Sequence, residues 1–235
     1  MKRRHPRLCS LIAALSLGVS AMLTGSGCSV SRVDPAPAER SGHVFFVRGL
    51  MDVFSLGLND MADDLRAEGY QARTISGPRW PDLAGKIKKA QADGTLDGPL
   101  VIVGHSLGGD DAVRLARKLD TYGVPIDSLT IIDAPNPAEI PPNVARVVNI
   151  YKPHGVDFVP IFRGVPVEAR DPTTEVINFN LKDADDPALK KMSINHFSIE
   201  ADKDIRQFVV DDIRRVLTQG TRASRPPLAS PQPGG

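Results

Sequence analysis

Six stretches of the chain carry the apolar signature of β-strands: His43–Arg48, Gln71–Ser76, Leu100–Val103, Leu129–Asp133, Ala145–Tyr151 and Glu175–Phe179. Several are almost unbroken runs of Val, Ile and Leu, the pattern of strands buried on both faces, as in a parallel sheet. Between them the apolar period changes to that of a helix. Leu58, Met61, Ala62 and Leu65 repeat at helical spacing before Gly69, as do Ala112, Leu115, Ala116 and Leu119. The clearest stripe is Ile205, Phe208, Val209, Ile213, Val216 and Leu217, with Asp202 and Asp204 near its start, where carboxylates complement the helix dipole. Strands alternating with helices predict an α/β domain, a mostly parallel sheet of about six strands with helices on both faces.

The two ends follow other patterns. Lys2, Arg3, Arg4 and Arg7 precede an uncharged apolar run, Leu8 to Thr24, too short to span a bilayer comfortably. A basic start, an apolar middle and small residues after it describe an export signal; an uncleaved anchor is the alternative. The run ends in Leu23-Thr24-Gly25-Ser26-Gly27-Cys28, which resembles a bacterial lipobox, with Gly25 where Leu is usual. Cleavage after Val19-Ser20-Ala21 is the other reading. Cys9 lies inside the signal, so Cys28 alone would remain, without a disulfide partner, and lipidation would dispose of an exposed thiol. The expected organisation is a signal over 1–27, a tether over 28–41 containing Pro35 and Pro37, a folded domain over 42–219 and a Pro-rich disordered tail over 220–235. The protein would be exported and held at the membrane through a lipid on Cys28, facing the periplasm or cell exterior.

Composition narrows the function classes. The 29 basic and 28 acidic residues leave a net charge of +1, which gives no case for nucleic acid as a partner. Aromatic residues make up 5% of the chain, too few for a platform that stacks bases or sugars. No His-Glu-x-x-His or Cys pair indicates a metal, and no pattern calls for a cofactor. Nothing in the sequence speaks to oligomeric state.

The chemistry concentrates where Leu100-Val101-Ile102-Val103 runs into Gly104-His105-Ser106-Leu107-Gly108 and a helical pattern follows at once. This is G-x-S-x-G at a strand–turn–helix junction. So sharp a turn brings neighbouring side chains into collision, hence Gly104 and Gly108, and it lifts the Ser106 hydroxyl clear of the backbone. The helix then aims its first amides at charge developing on a substrate. The plainer alternative is a glycine-rich strand–helix turn; the apolar strand directly before the motif and the helix directly after it weigh against that reading. A phosphate loop is excluded because no Lys follows the glycines.

Gly104-His105-Ser106-Leu107-Gly108-Gly109 resembles the nucleophile elbow of α/β-hydrolase lipases, esterases and thioesterases. Strand His43–Arg48 with Gly49-Leu50 resembles their first oxyanion loop, with Arg48 in place of the usual His. The resemblance spans about 43–217 and implies a serine nucleophile, then an acid, then a histidine, in chain order. Of the five histidines, His196 follows the last strand and precedes the last helix, where the family keeps its base; His154, in an earlier loop, is the alternative. Asp133, ending an apolar strand, is the favoured acid, and Asp157 in the next loop the alternative. The oxyanion amides would be those of Leu107 and Leu50. Asp110 and Asp111 read as dipole charges on the elbow helix.

The expected activity is hydrolysis of a small-molecule or lipid carboxylic ester or thioester through an acyl group on Ser106. An acyltransferase with the same triad, or a binding lipoprotein that keeps only the fold, are the alternatives. Pro135, Pro137, Pro141 and Pro142 crowd the segment after Asp133, where many lipases insert a helical cap, and predict a minimal fold without one.

Overall fold

The computed structural model describes residues 40–49, 55–153, 163–184 and 194–219. Among the described residues six strands form one sheet: β1 (His43–Arg48), β2 (Gln71–Ser76), β3 (Leu100–His105), β4 (Ser128–Ile132), β5 (Arg146–Tyr151) and β6 (Glu175–Asn180). Their order across the sheet is β2-β1-β3-β4-β5-β6, and every pairing is parallel. Parallel neighbours require crossovers. Helices α1 (Gly57–Ala67), α2 (Trp80–Ala92) and α3 (Leu107–Asp120) provide three of them, and α4 (Lys203–Gln219) is the last described element.

The side-chain alternation of the strands divides the core in two. Val44 and Phe46 of β1, Val101 and Val103 of β3 and Val148 and Ile150 of β5 pack with α1 and α4. Phe45 and Val47, Leu100 and Ile102, and Leu129 and Ile131 pack with α2 and α3. Strands β1, β3 and β4 are buried almost throughout, and edge strands β2 and β6 are only partly covered. This explains why the central runs are continuously apolar while Gln71-Ala72-Arg73-Thr74 is not. A bidentate ion pair between Arg146 and the buried Asp212 joins β5 to α4, at 2.6 and 3.0 Å.

The sequence reading and the fold differ at the margins. β3 extends two residues past Val103, because Gly104 and His105 still pair with Ile131 and Ile132 of β4. β4 ends at Ile132, one residue before Asp133. Helix α2 and the 3₁₀ turn Gly77–Arg79 before it lie where the apolar pattern had marked nothing.

The order β2-β1-β3 places a switch point in the sheet. The chain leaves β1 through α1 on one face and leaves β3 through α3 on the other. Adjacent strands with connections on opposite faces leave a crevice beyond their carboxyl ends, which is where such sheets bind ligands. Gly49, following β1, and Ser106, following β3, both stand there. The architecture is an α/β-hydrolase fold. Its β4–β5 connection, Asp133 to Ala145, contains no helix. Among the described residues, no helix is long and apolar enough to cross a membrane. The signal, Cys28, most of the tether and the C-terminal tail lie outside them.

Candidate active site

Ser106 occupies the turn between β3 and α3 at φ 57° and ψ −133°, a region side-chain-bearing residues seldom adopt. Such a conformation costs on the order of 1–3 kcal/mol and persists only where its surroundings impose it. Here the Ser106 amide donates to Ile132 O at 2.9 Å, and the Gly109 amide donates to Ser106 O at 2.8 Å. The flanking glycines are required by contact. A Cβ on Gly108 would run into the Val47 carbonyl oxygen of β1, and one on Gly104 into the Gly108 carbonyl oxygen. The elbow is therefore wedged against the neighbouring strand, and its hydroxyl faces the crevice.

The structure brings three of the sequence-selected side chains together. Ser106 Oγ lies 2.7 Å from His196 Nε2, and His196 Nδ1 lies 2.8 Å from Asp133 Oδ2. All three are buried, with Asp133 fully inaccessible. A carboxylate only accepts, so Nδ1 carries the proton of a neutral His196, and Nε2 is left to accept from the Ser106 hydroxyl. Asp133 continues from β4, its amide still bonded to Ile150 O at 2.8 Å, and turns at φ 50°. Asp tolerates this left-handed conformation better than most residues. Its second oxygen, Oδ1, accepts the Lys152 amide at 3.0 Å. Both carboxylate oxygens are thus assigned, one to the base and one to the end of β5.

His196 sits on the turns leading into α4. The Phe197 amide donates to Asn195 Oδ1 at 2.9 Å, and the Ile199 amide to Asn195 O at 2.9 Å. Two side chains hold this segment by its backbone: Lys152 Nζ donates to Ile194 O at 3.0 Å, and His105 Nε2 meets His196 O at 3.0 Å. The Phe197 ring stands edge-on to the His196 imidazole, 5.4 Å between centroids, and is 47% exposed.

Leu107 is the first residue of α3, where helix geometry leaves the amide without an intrahelical acceptor. The partner amide expected from Leu50, the alternative acid Asp157 and the alternative base His154 lie outside the described residues. Asp110 and Asp111 do more than complement the dipole. Asp110 accepts the Asn136 amide at 3.1 Å, and burial pushes its carboxyl up to about 6. Asp111 pairs with Arg114 at 2.6 Å. Among the described residues, no cluster of His, Cys, Asp and Glu could hold a metal.

Sequence reasoning missed Ser55 and Lys152. Ser55 Oγ bonds the imidazole of His105, and Lys152 uses its backbone on Asp133 and its ammonium on Ile194 O. No motif marks either one. The only hint was a Lys directly after an apolar strand, where solvent exposure would be the ordinary expectation.

Comparison with known proteins finds a family match over part of the chain. Residues 64–147 match the family described as Thioesterase domain. The match contains Ser106 and Asp133 and stops short of His196. No curated protein matches the chain. Among solved structures, a hydrolase of the α/β superfamily from Xanthomonas campestris pv. campestris is 14% identical, with TM-score 0.41, covering 74% of this chain and 99% of that one. The NocB thioesterase domain from the nocardicin cluster is 17% identical, with TM-score 0.44, covering 76% and 94%. The same domain in covalent complex with a fluorophosphonate nocardicin G analogue gives 16%, TM-score 0.46, and 77% and 97%.

Proposed function

We propose that this protein is a serine hydrolase that cleaves carboxylic esters or thioesters through an acyl group carried on Ser106. The observation that carries the reading is the unbroken hydrogen-bond chain from Asp133 through His196 to Ser106, at 2.8 and 2.7 Å. In this reading His196 Nε2 takes the Ser106 proton as Oγ attacks the substrate carbonyl, and Asp133 stabilises the imidazolium that forms. The Leu107 amide, with that of Leu50, stabilises the oxyanion. The imidazolium protonates the leaving alcohol or thiol, and a water activated by the same histidine releases the acid. The thioesterase-domain match over 64–147 supports the reaction class.

Two exposed apolar side chains support a substrate with an apolar portion. Phe197 flanks the base, and Leu56, 58% exposed, follows the Ser55 that bonds His105. The absence of a helix between β4 and β5 supports a site open to dissolved substrate. We extend the proposal to the N-terminus: a lipid on Cys28 would hold the enzyme at the outer surface of the membrane it crosses.

The test is a panel of p-nitrophenyl esters and acyl thioesters of increasing chain length, with Ser106→Ala as blank. Turnover that rises with apolar length, is lost in the blank and shows no jump when micelles appear is the expected result. Turnover that persists in Ser106→Ala would refute the mechanism.

A further inference from the structure

The residue between Gly104 and Ser106 has a hydrogen-bond assignment with only one consistent direction. His105 Nε2 lies 3.0 Å from His196 O, which only accepts, so Nε2 carries a proton. The ring is 1% exposed, and burial first, with the proximity of His196 second, depresses its pKa to about 4, so it is neutral near pH 7. A neutral imidazole with Nε2 protonated has a bare Nδ1. That atom lies 2.9 Å from Ser55 Oγ, so the Ser55 hydroxyl donates to it. Ser55 Oγ in turn accepts the Gly49 amide at 3.0 Å. The chain of donors therefore runs from the Gly49 amide to Ser55, from Ser55 to His105 Nδ1, and from His105 Nε2 to the His196 carbonyl. The groups facing the ring are His196 and Asp133.

Each end of this chain is a part of the site that must be held. A Cβ on Gly49 would lie 2.9 Å from His105 O and 3.1 Å from Ser106 Cβ, so the residue directly after β1 lies against the elbow. His196 is on a segment of turns, and its ring position depends on where its backbone is held. Ser55 and His196 are far apart in sequence, and His105 bonds to both.

We propose that His105 and Ser55 are positioning residues: a fixed-tautomer His105, through Ser55, ties the His196 backbone to Gly49 directly after β1, and so sets the distance between base and nucleophile. The inference rests on the proposed serine-hydrolase reading for its kinetic consequence and not for its geometry. Displacing a catalytic group by about 1 Å can cost about 100-fold in rate.

The test has one arm independent of turnover. In the full chain labelled with nitrogen-15, the imidazole shifts of His105 should report Nε2 protonated and Nδ1 bare, unchanged between about pH 5.5 and 8. A protonated Nδ1, or a titration in that window, overturns the proposal whatever the protein hydrolyses. In the kinetic arm, His105→Phe fills the space but removes both bonds, and should lower kcat about 10- to 100-fold with KM nearly unchanged. His105→Gln restores a donor at the Nε2 position and should recover most of that loss. Ser55→Ala should lower kcat in the same direction, and the double variant His105→Phe with Ser55→Ala should be no worse than His105→Phe alone, since both break one chain. Wild-type kcat in His105→Phe, additive losses in the double variant, or a Gln variant as poor as Phe would each overturn it. Loss of the serine-hydrolase reading would appear elsewhere, as turnover surviving Ser106→Ala.

Discussion

Replacing Asp133 by Asn changes one atom in a fully buried side chain, and the structure dictates how the amide must sit. Oδ1 accepts the Lys152 amide at 3.0 Å and Oδ2 faces His196 Nδ1 at 2.8 Å. A backbone amide can only donate, so the Asn carbonyl oxygen must stay on Lys152, and its NH₂ must face His196. The NH₂ donates, so His196 Nδ1 has to accept, and its proton moves to Nε2. That proton then points at Ser106 Oγ, 2.7 Å away, and the base has lost the lone pair with which it would take the serine's proton. In a triad this tautomer error lowers kcat by about 10⁴-fold, equivalent to about 5 kcal/mol of barrier. The fold should survive, because Asn accepts the φ of 50° found at this position as readily as Asp does. The assay is kcat on a chromogenic ester at neutral pH, with thermal melting to confirm folding and Asp157→Asn beside it. A loss near 10⁴-fold at Asp133 and little loss at Asp157 is expected. A folded Asp133→Asn enzyme within about 10-fold of wild type would refute the reasoning, and a large loss at Asp157 alone would move the acid there.

Three further predictions follow from other parts of the structure. Gly108→Ala drives a Cβ into the Val47 carbonyl, which the β-ladder holds in place, and should cost about 1–3 kcal/mol in denaturant melts together with most of the activity; an unchanged melt would mean that the elbow is not wedged against β1. Glu200 is 2% exposed, and burial raises its carboxyl from 4.5 to about 7. Because the folded state then binds the proton more tightly than the unfolded chain, stability falls as pH rises between those two values. Glu200→Gln should therefore raise Tm at pH 8 and give no gain near pH 4, and an equal gain at both would contradict the assignment. Cys28→Ser should abolish lipid labelling and release the protein from membranes, and labelling that persists would refute a lipid at Cys28.

How much of this could be read from the sequence depended on whether a residue's role lies in its own side chain. The central strands were legible because burial on both faces demands unbroken apolar runs, and β1 and β2 have the predicted bounds. The elbow was legible because two glycines and a serine are the steric solution to one turn. β3 was read short because Gly104 and His105 are not apolar, although their backbones still belong to the ladder. Helix α2 was passed over because only Leu83, Ala84 and Ile87 of its thirteen residues are buried, and Pro81 and Gly85 weaken its pattern. Asp133 stood out as a carboxylate after Ile132, but its 2.8 Å approach to His196 Nδ1 is a distance that no spacing supplies. The role of Ser55 was not legible at all: it depends on a contact across 50 residues to His105. Lys152 was hidden for another reason, since its bond to Asp133 uses a backbone amide that any residue but Pro would provide.

The central claim is that Ser106 is the nucleophile, and covalent capture tests it most directly. The intact protein is treated with a fluorophosphonate probe, digested and mapped by mass spectrometry, with Ser106→Ala and His196→Ala treated in parallel. The account predicts a single phosphonylated serine at Ser106, no labelling of Ser106→Ala, and labelling of His196→Ala slowed by about 10³-fold or more. A probe adduct on another residue, or undiminished labelling of Ser106→Ala, would contradict it.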